Sequence, residues 1–321
     1  MKKTGLLLLL LCLATAAGAQ EAASQSAAPE TPQGTIATAV NFPIERVETP
    51  SNADLYCAGF VNKQLLPNAN FVAGGLNTPN TTKFINQDMI YVMGHGYQTG
   101  QQYEVVRELR DPNRFEMYEG QHAMLQAMGQ PYAELGRVRI VDTRHKAAIA
   151  YVEFSCEPID PGDILIPFAE KPAISFHPPL RFDRFAPSNH GASGRIVMAK
   201  DFDSQLGTGA KVYMNVGSNQ GVKVGDYFRA VRLYTADLHD PVDSLSFAGY
   251  DVVEDTQRRP PSVDPHLFSM ANGPVIHVAD LPRRSVGEIV VLSTTPTTAT
   301  GMIVFALEDV HAGDGVEIDQ Q

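Results

Sequence analysis

Two stretches decide the fold: LGRVRIVDTRHKAAIAYVEFSCEPIDPGDILI, residues 135–166, and VGEIVVLSTTPTTATGMIVFALEDVHAGDGVEI, residues 286–318. They align without a gap from Gly136 and Gly287 to the Gly-Asp pairs Gly162-Asp163 and Gly313-Asp314. Ala148 meets Ala299, Phe154 meets Phe305, and Glu157 meets Glu308, while Val152/Ile303 and Ile159/Val310 are apolar pairs. An internal repeat of this kind means that one supersecondary unit is used twice. Within each copy, short apolar runs alternate with Gly, Pro and Asn clusters, which is the pattern of strands and turns.

Working outward, a second matched pair lies upstream. MIYVMGHGYQTGQQYEVVRELR, from Met89, parallels VYMNVGSNQGVKVGDYFRAVRLY, from Val212, so that Gly100 faces Gly225 and Tyr103, Val106 and Arg107 face Phe228, Val231 and Arg232. Each copy carries one insertion between its two pieces: Asp111 to Glu134 in the first and the longer Thr235 to Pro282 in the second. Long surface insertions cost little loop entropy and often carry recognition, so either is expected to be removable without loss of folding. The expected fold is mainly β, two tandem copies of a small barrel-like or sandwich-like unit with insertions. Helical periodicity is confined to the neighbourhood of Gly120–Met128. The units are expected over 51–170 and 193–321, with a proline-containing linker over 171–192.

The N-terminal end has the layout of a secretory signal peptide over residues 1–19. Lys2 and Lys3 precede an apolar run, Leu6 to Leu13, and Ala17-Gly18-Ala19 precedes Gln20. That run is shorter than the roughly 20 residues a membrane span needs, and no later stretch is long enough, so no transmembrane segment is expected. A lipid anchor at Cys12 would need a small residue before the cysteine, where Leu11 stands. Residues 20–50, rich in Ala, Ser, Gln, Pro, Glu and Thr, hold too little apolar surface to offset ordering entropy and read as a disordered tether.

The formal net charge is -11, and it becomes more negative once Lys2 and Lys3 leave with the leader. This sign opposes contact with phosphate backbones, so nucleic acid is not an expected partner. Trp is absent, which disfavours a sugar-stacking platform, although eleven Tyr residues keep one conceivable. Beyond the leader two cysteines remain, Cys57 and Cys156. Two readings stand for them: a disulfide, as export favours, or two buried thiols acting as small hydrophobes. Strand alternation puts Cys156 on the core side with Val152 and Phe154, opposite Leu307 of the other copy, which favours the thiol reading.

Candidate chemistry is sparse. The Gly-Asp pairs, including Gly225-Asp226, read as turns in which Asp bonds nearby backbone, the alternative being an acid/base or ion-binding role. Asp237, His239 and Asp240 could hold a divalent ion but supply few ligands. Asp201 and Asp203 lack the oxygen series of a calcium loop. Arg258 and Arg259, before Pro260-Pro261, form a basic stretch that could meet an anionic partner or remain solvated. No Gly-x-Ser-x-Gly elbow, His-Glu-x-x-His helix or phosphate-binding loop is present, and no cofactor, metal or catalytic residue is expected.

The order Gly-Gln-Gln-Tyr-Glu-Val-Val-Arg from Gly100, an Asp-Pro loop at Asp111, Leu-Gly-Arg-Val-Arg-Ile from Leu135 and Asp-Pro-Gly-Asp-Ile-Leu-Ile-Pro from Asp160 resembles the C-terminal region of LysM-containing envelope proteins of Gram-negative bacteria. Ser-Gly-Arg-Ile from Ser193 and Asn-Val-Gly-Ser-Asn-Gln-Gly-Val-Lys-Val-Gly-Asp from Asn215 continue the resemblance, and the second unit is similar to the C-terminal module of flagellar assembly protein T. The chain departs from the LysM proteins in having no recognisable LysM repeat. The resemblance implies a periplasmic or outer-membrane-associated place and an accessory, non-catalytic scaffold role, with an envelope protein or peptidoglycan as partner. A carbohydrate-binding or peptidoglycan-binding module is the alternative, and a hydrolase comes third.

Overall fold

The computed structural model describes residues 49–76, 82–112, 115–174, 182–233, 238–239, 275–277 and 280–319. The leader and most of the tether expected from the sequence lie outside them, and the described residues all belong to one compact unit, Pro43–Gln321. In chain order the elements are α1 (Asn52–Tyr56), β1 (Phe60–Asn62), β2 (Phe71–Gly75), β3 (Met89–Met93), β4 (Gln102–Glu108), α2 (Gln121–Met128), β5 (Gln130–Asp142), β6 (Ala148–Ser155) and β7 (Ile164–Pro167). There follow β8 (Ser193–Ala199), β9 (Gln205–Leu206), β10 (Lys211–Met214), β11 (Tyr227–Arg232), β12 (Leu238–His239), β13 (Val275–Ile276), β14 (Arg284–Thr294), β15 (Ala299–Ala306), β16 (Val310–His311) and β17 (Gly315–Ile318).

The strands close into two barrels, in the cyclic orders β5-β4-β7-β2-β3-β6 and β14-β11-β17-β8-β10-β15. Matching the strands through the sequence repeat turns one order into the other. Register is duplicated as well. Gly136 pairs with Ser155 and Arg137 with Phe154, as Gly287 pairs with Ala306 and Glu288 with Phe305; a bulge follows at once in both pairings. A second bulge, after Val105 in the β4–β5 ladder and after Ala230 in the β11–β14 ladder, is also shared. Bulges add local twist and bend, which is how so few strands turn the corners of a closed barrel. Gly136 and Gly287 are needed because a Cβ there would lie 2.3 Å from the Phe154 carbonyl oxygen and 2.7 Å from that of Phe305.

Each interior is filled by the apolar pairs that the repeat aligns. Leu135, Val138, Val152, Ile159 and Leu165 belong to the first core, and Val286, Ile289, Ile303, Val310 and Val316 to the second. Each such side chain contributes about 1.5–3 kcal/mol by leaving water. Simple alternation fails at the first of these bulges. The β5–β6 bulge makes Glu153 an unpaired extra residue, so the inward series ends at Val152. Phe154 and Cys156 therefore lie outside the first core, only half-buried, and Phe305 likewise packs against Phe182 outside the second.

The same ion pair fastens a turn to a strand in both barrels. The Arg107 guanidinium donates to both carboxylate oxygens of Asp163, at 2.7 Å each, and to the Pro158 carbonyl at 3.1 Å. Arg232 does the same to Asp314, at 2.8 and 2.9 Å, and to the Asp309 carbonyl at 2.7 Å. The Asp carboxylate also caps its own turn, accepting from Asp160 N in one barrel and His311 N in the other, at 2.7 Å each. Bidentate geometry of this kind fixes orientation as well as energy. The two differ in burial: Arg107 is 34% exposed at its side chain, Arg232 only 5%.

Removing one partner from a buried pair strands the other charge, so Asp314→Asn is expected to cost about 3–5 kcal/mol in urea unfolding. Asp163→Asn, whose arginine can reach water, is expected to cost about 1.5–3 kcal/mol. Equal losses at the two sites would show that burial does not set the difference.

Candidate functional site at the junction of the barrels

The segment from α1 through β1 forms a strap between the barrels. Ser51 starts α1 with a capping box: its hydroxyl accepts from Asp54 N at 3.2 Å while the Asp54 carboxylate accepts from Ser51 N at 2.9 Å. Leu55 and Ala58 then pack with Tyr227, Val290, Leu292, Met302 and Val304 on the outside of the second barrel. On its other side β1 pairs antiparallel with β5 of the first barrel, Phe60 opposite Tyr132 and Asn62 opposite Gln130. Three carbonyls of the strap that the β5 ladder leaves open accept side-chain hydroxyls of the second barrel. Tyr213 Oη donates to Ala58 at 3.1 Å, Thr300 Oγ1 to Gly59 at 3.0 Å and Thr298 Oγ1 to Val61 at 3.3 Å. Gly59 has φ +74°, and a Cβ on it would lie 2.2 Å from Tyr213 Oη. Only glycine meets both demands.

Under the strap lies a buried acidic pair. Glu134 Oε2 accepts from Gly59 N at 3.0 Å, and its Oε1 meets Lys171 Nζ, which also donates to the Leu55 carbonyl at 2.7 Å. Glu104, on the neighbouring β4, is buried and hydrogen-bonded to Glu134. Burial, and then the Glu134 carboxylate beside it, pushes the Glu104 carboxyl up to about 8. The adjoining cavity, lined by Tyr56, Glu104, Gly136, Arg137, Phe154 and Phe168, holds about 10 Å³. That is room for about one water and not for a substrate. Arg137 closes it, with its guanidinium 4.7 Å from the Phe168 ring centre and 5.8 Å from that of Tyr56. The group can hold and share a proton, and it has the geometry of a structural seal.

Cys57, at the end of α1, is bonded to Cys156, with Cα atoms 5.8 Å apart. The thiol reading of Cys156 is thereby overturned, and the reason is the bulge at Glu153, which swings the chain beyond it off the core face. The insertion Asp111–Glu134 also departs from expectation. Tyr118 is fully buried, its hydroxyl and the Gln121 amide donate to the Val197 carbonyl of β8 at 3.4 and 3.0 Å, and Met128 packs with Val197, Met198 and Tyr213. It is part of the interface between the barrels, so it cannot be excised without damage to the fold.

Other residues singled out from the sequence are placed as follows. The Gly-Asp pairs are turns, and Asp226 accepts from Lys223 N at 2.8 Å in the same way as Asp163 and Asp314 accept from their own turns. Asp201 and Asp203 flank Phe202 in the turn after β8. His239 lies in β12 opposite Val275. Asp237, Asp240, Arg258 and Arg259 lie outside the described residues. Among the described residues no group of three His, Cys, Asp or Glu side chains could hold a metal ion, and no helix is long and apolar enough to cross a membrane. The sequence reading missed Glu104, Glu134 and Lys171. One signal was available: the repeat aligns the cross-strand pair Glu104–Arg137 with Arg229–Glu288, the same two charges exchanged between strands.

The sequence matches no family model and no curated protein.

Two outcomes are expected from this geometry. Reduction of Cys57–Cys156 opens a covalent loop whose ends are 99 residues apart, for which chain entropy gives about 4.7 kcal/mol, so the melting temperature should fall clearly on adding dithiothreitol. An unchanged transition would mean that the bond does not restrict the unfolded chain. For Glu104, the folded chain holds a proton that the unfolded chain releases between the ordinary value of 4.5 and about 8. This contribution is therefore full at low pH, falls as pH rises through that window by up to roughly 1 kcal/mol per unit, and is gone above it. Glu104→Gln should flatten that decline in urea titrations and exceed the wild type in stability above pH 8.

Proposed function

We propose that this is an exported, non-catalytic protein of the cell envelope that binds another envelope component, either a protein or peptidoglycan. The observation that carries the reading is the disulfide-tethered strap, which joins two barrels into one body in a bond suited to an oxidising compartment. The resemblance to LysM-containing envelope proteins supports the same location. A scaffold role is further supported by the use of the duplicated charges, since Arg107, Asp163, Arg232 and Asp314 are engaged with one another.

Recognition then falls to the longer insertion, Thr235–Pro282. Arg232 and Arg284 stand directly opposite each other in the β11–β14 ladder, so both ends of the insertion leave the barrel at one point. A short turn can replace it at small entropic cost. The full chain, carried on beads through envelope extracts and separately through purified peptidoglycan sacculi, is expected to retain one component. The variant lacking 235–282, a deletion that removes β12 and β13 but no barrel strand, is expected to keep a cooperative unfolding transition and lose that component. Retention by the folded variant, or turnover of glycan, peptide or ester substrates by the pure protein, would overturn the reading.

A further inference from the structure

Beside the strap, a second hollow opens between α2 and the turn after β8. It measures about 220 Å³, and its walls are mostly apolar: Leu109, Leu125, Pro131, Met198 and Phe202, with Asp111, Gln126 and Gln130 as the polar lining residues. Junctions between packed units are where binding hollows concentrate, and a pocket of this size suits a single large side chain rather than a cofactor. Methionine, with its unbranched polarizable chain, adapts to what enters.

Two observations say what fits there. Phe202 has φ +62°, a left-handed conformation that costs a bulky residue strain, and it lines the hollow while packing on the cluster of Val61, Met128, Val197, Met198 and Tyr213. On either side of it, Asp201 and Asp203 are exposed and form no ion pair with a described residue. Nearby cations are already met by carboxylates: Lys200 by Glu157 at 2.6 Å and Arg110 by Glu108 at 3.5 Å. The hollow is thus a largely apolar socket with two exposed aspartates next to Phe202 of its wall, on a chain whose net charge of -11 draws cations toward it.

We propose that this hollow receives one apolar side chain from a basic polypeptide segment of the partner, whose flanking lysine or arginine residues meet Asp201 and Asp203. The proposal rests on the binding reading above and names the chemistry of the partner. None of the residues lining the hollow belongs to the insertion 235–282, so each can fail without the other.

The test uses the full mature chain and a fluorescein-labelled short peptide with one central leucine between pairs of lysines, read by anisotropy. Binding is expected, weakening as salt rises because exposed charges are screened beyond about 8–10 Å. Affinity should fall about tenfold or more when the leucine is replaced by glycine or the lysines by glutamates, and by a similar factor in Asp201→Asn/Asp203→Asn. Gln126→Trp, at an exposed position of α2 on the wall of the hollow, fills the socket without touching either core and should abolish binding. Absence of binding to the wild type, or binding indifferent to the plug, would overturn the proposal. So would a dimer in sedimentation that Gln126→Trp dissolves, since a second copy would then be the occupant, or binding that emerges only after removal of 235–282, which would make the hollow a seat for the chain itself.

Discussion

The whole arrangement depends on a few residues of backbone, Ala58 to Asn62, whose polar groups are satisfied by two different barrels. On one side the strand completes a ladder with β5; on the other its carbonyls accept from Tyr213, Thr298 and Thr300. A strand buried on both edges cannot leave any carbonyl without a donor, because an unmade hydrogen bond in the interior costs about 1–3 kcal/mol. Hydroxyls solve this where a second ladder would not, since the second barrel is already closed and has no strand edge to offer. Gly59 makes the approach possible, and the acidic pair with Lys171 seals the end.

Duplication explains why the two barrels are so alike and where they part. What both copies keep is geometry: three bulges, one close glycine, one arginine–aspartate pair that fastens a turn to β4 or β11. What they change is the outer wall. Glu104 opposite Arg137 becomes Arg229 opposite Glu288, and the position of Glu134 becomes Ser285. Those substitutions follow the coverings. The first wall lies under Tyr56, Phe168 and Lys171, the second under the segment around Phe182 and Arg184, whose carbonyl accepts from Ser285 N.

The duplication, the mainly β character and the core pairs Val152/Ile303 and Ile159/Val310 were legible because the gapless repeat carries them twice, whereas six strands to a unit and their closure into barrels, rather than sandwiches, emerge only from the pairing of strands. The turn roles of Asp163, Asp226 and Asp314 were legible from the Gly-Asp pairs themselves, each set between short apolar runs. Phe154 and Cys156 were misplaced because a bulge shifts the facing of everything beyond it and leaves no mark in the residue types. The strap was invisible for a different cause: Ala58, Gly59 and Thr300 acquire meaning only when chain segments far apart in sequence meet. The role of α2 was hidden likewise, since Tyr118 and Gln121 satisfy a carbonyl of the other barrel rather than a partner in their own.

The reach of those contacts has a bearing on how the chain assembles. Val61 is bonded to a threonine 237 residues later and Gly59 to one 241 residues later. Each barrel closes through contacts within its own half, but the strap can be finished only when β15 exists. A chain that emerges N-terminal end first must therefore carry the strap exposed, one ladder edge and three carbonyls in water, while nearly everything else is made. Contacts of such high sequence separation form late and slowly, and unpaired edges in the interval invite wrong partners. The strap is short, five residues of helix and three of strand, which limits the surface left open during that wait.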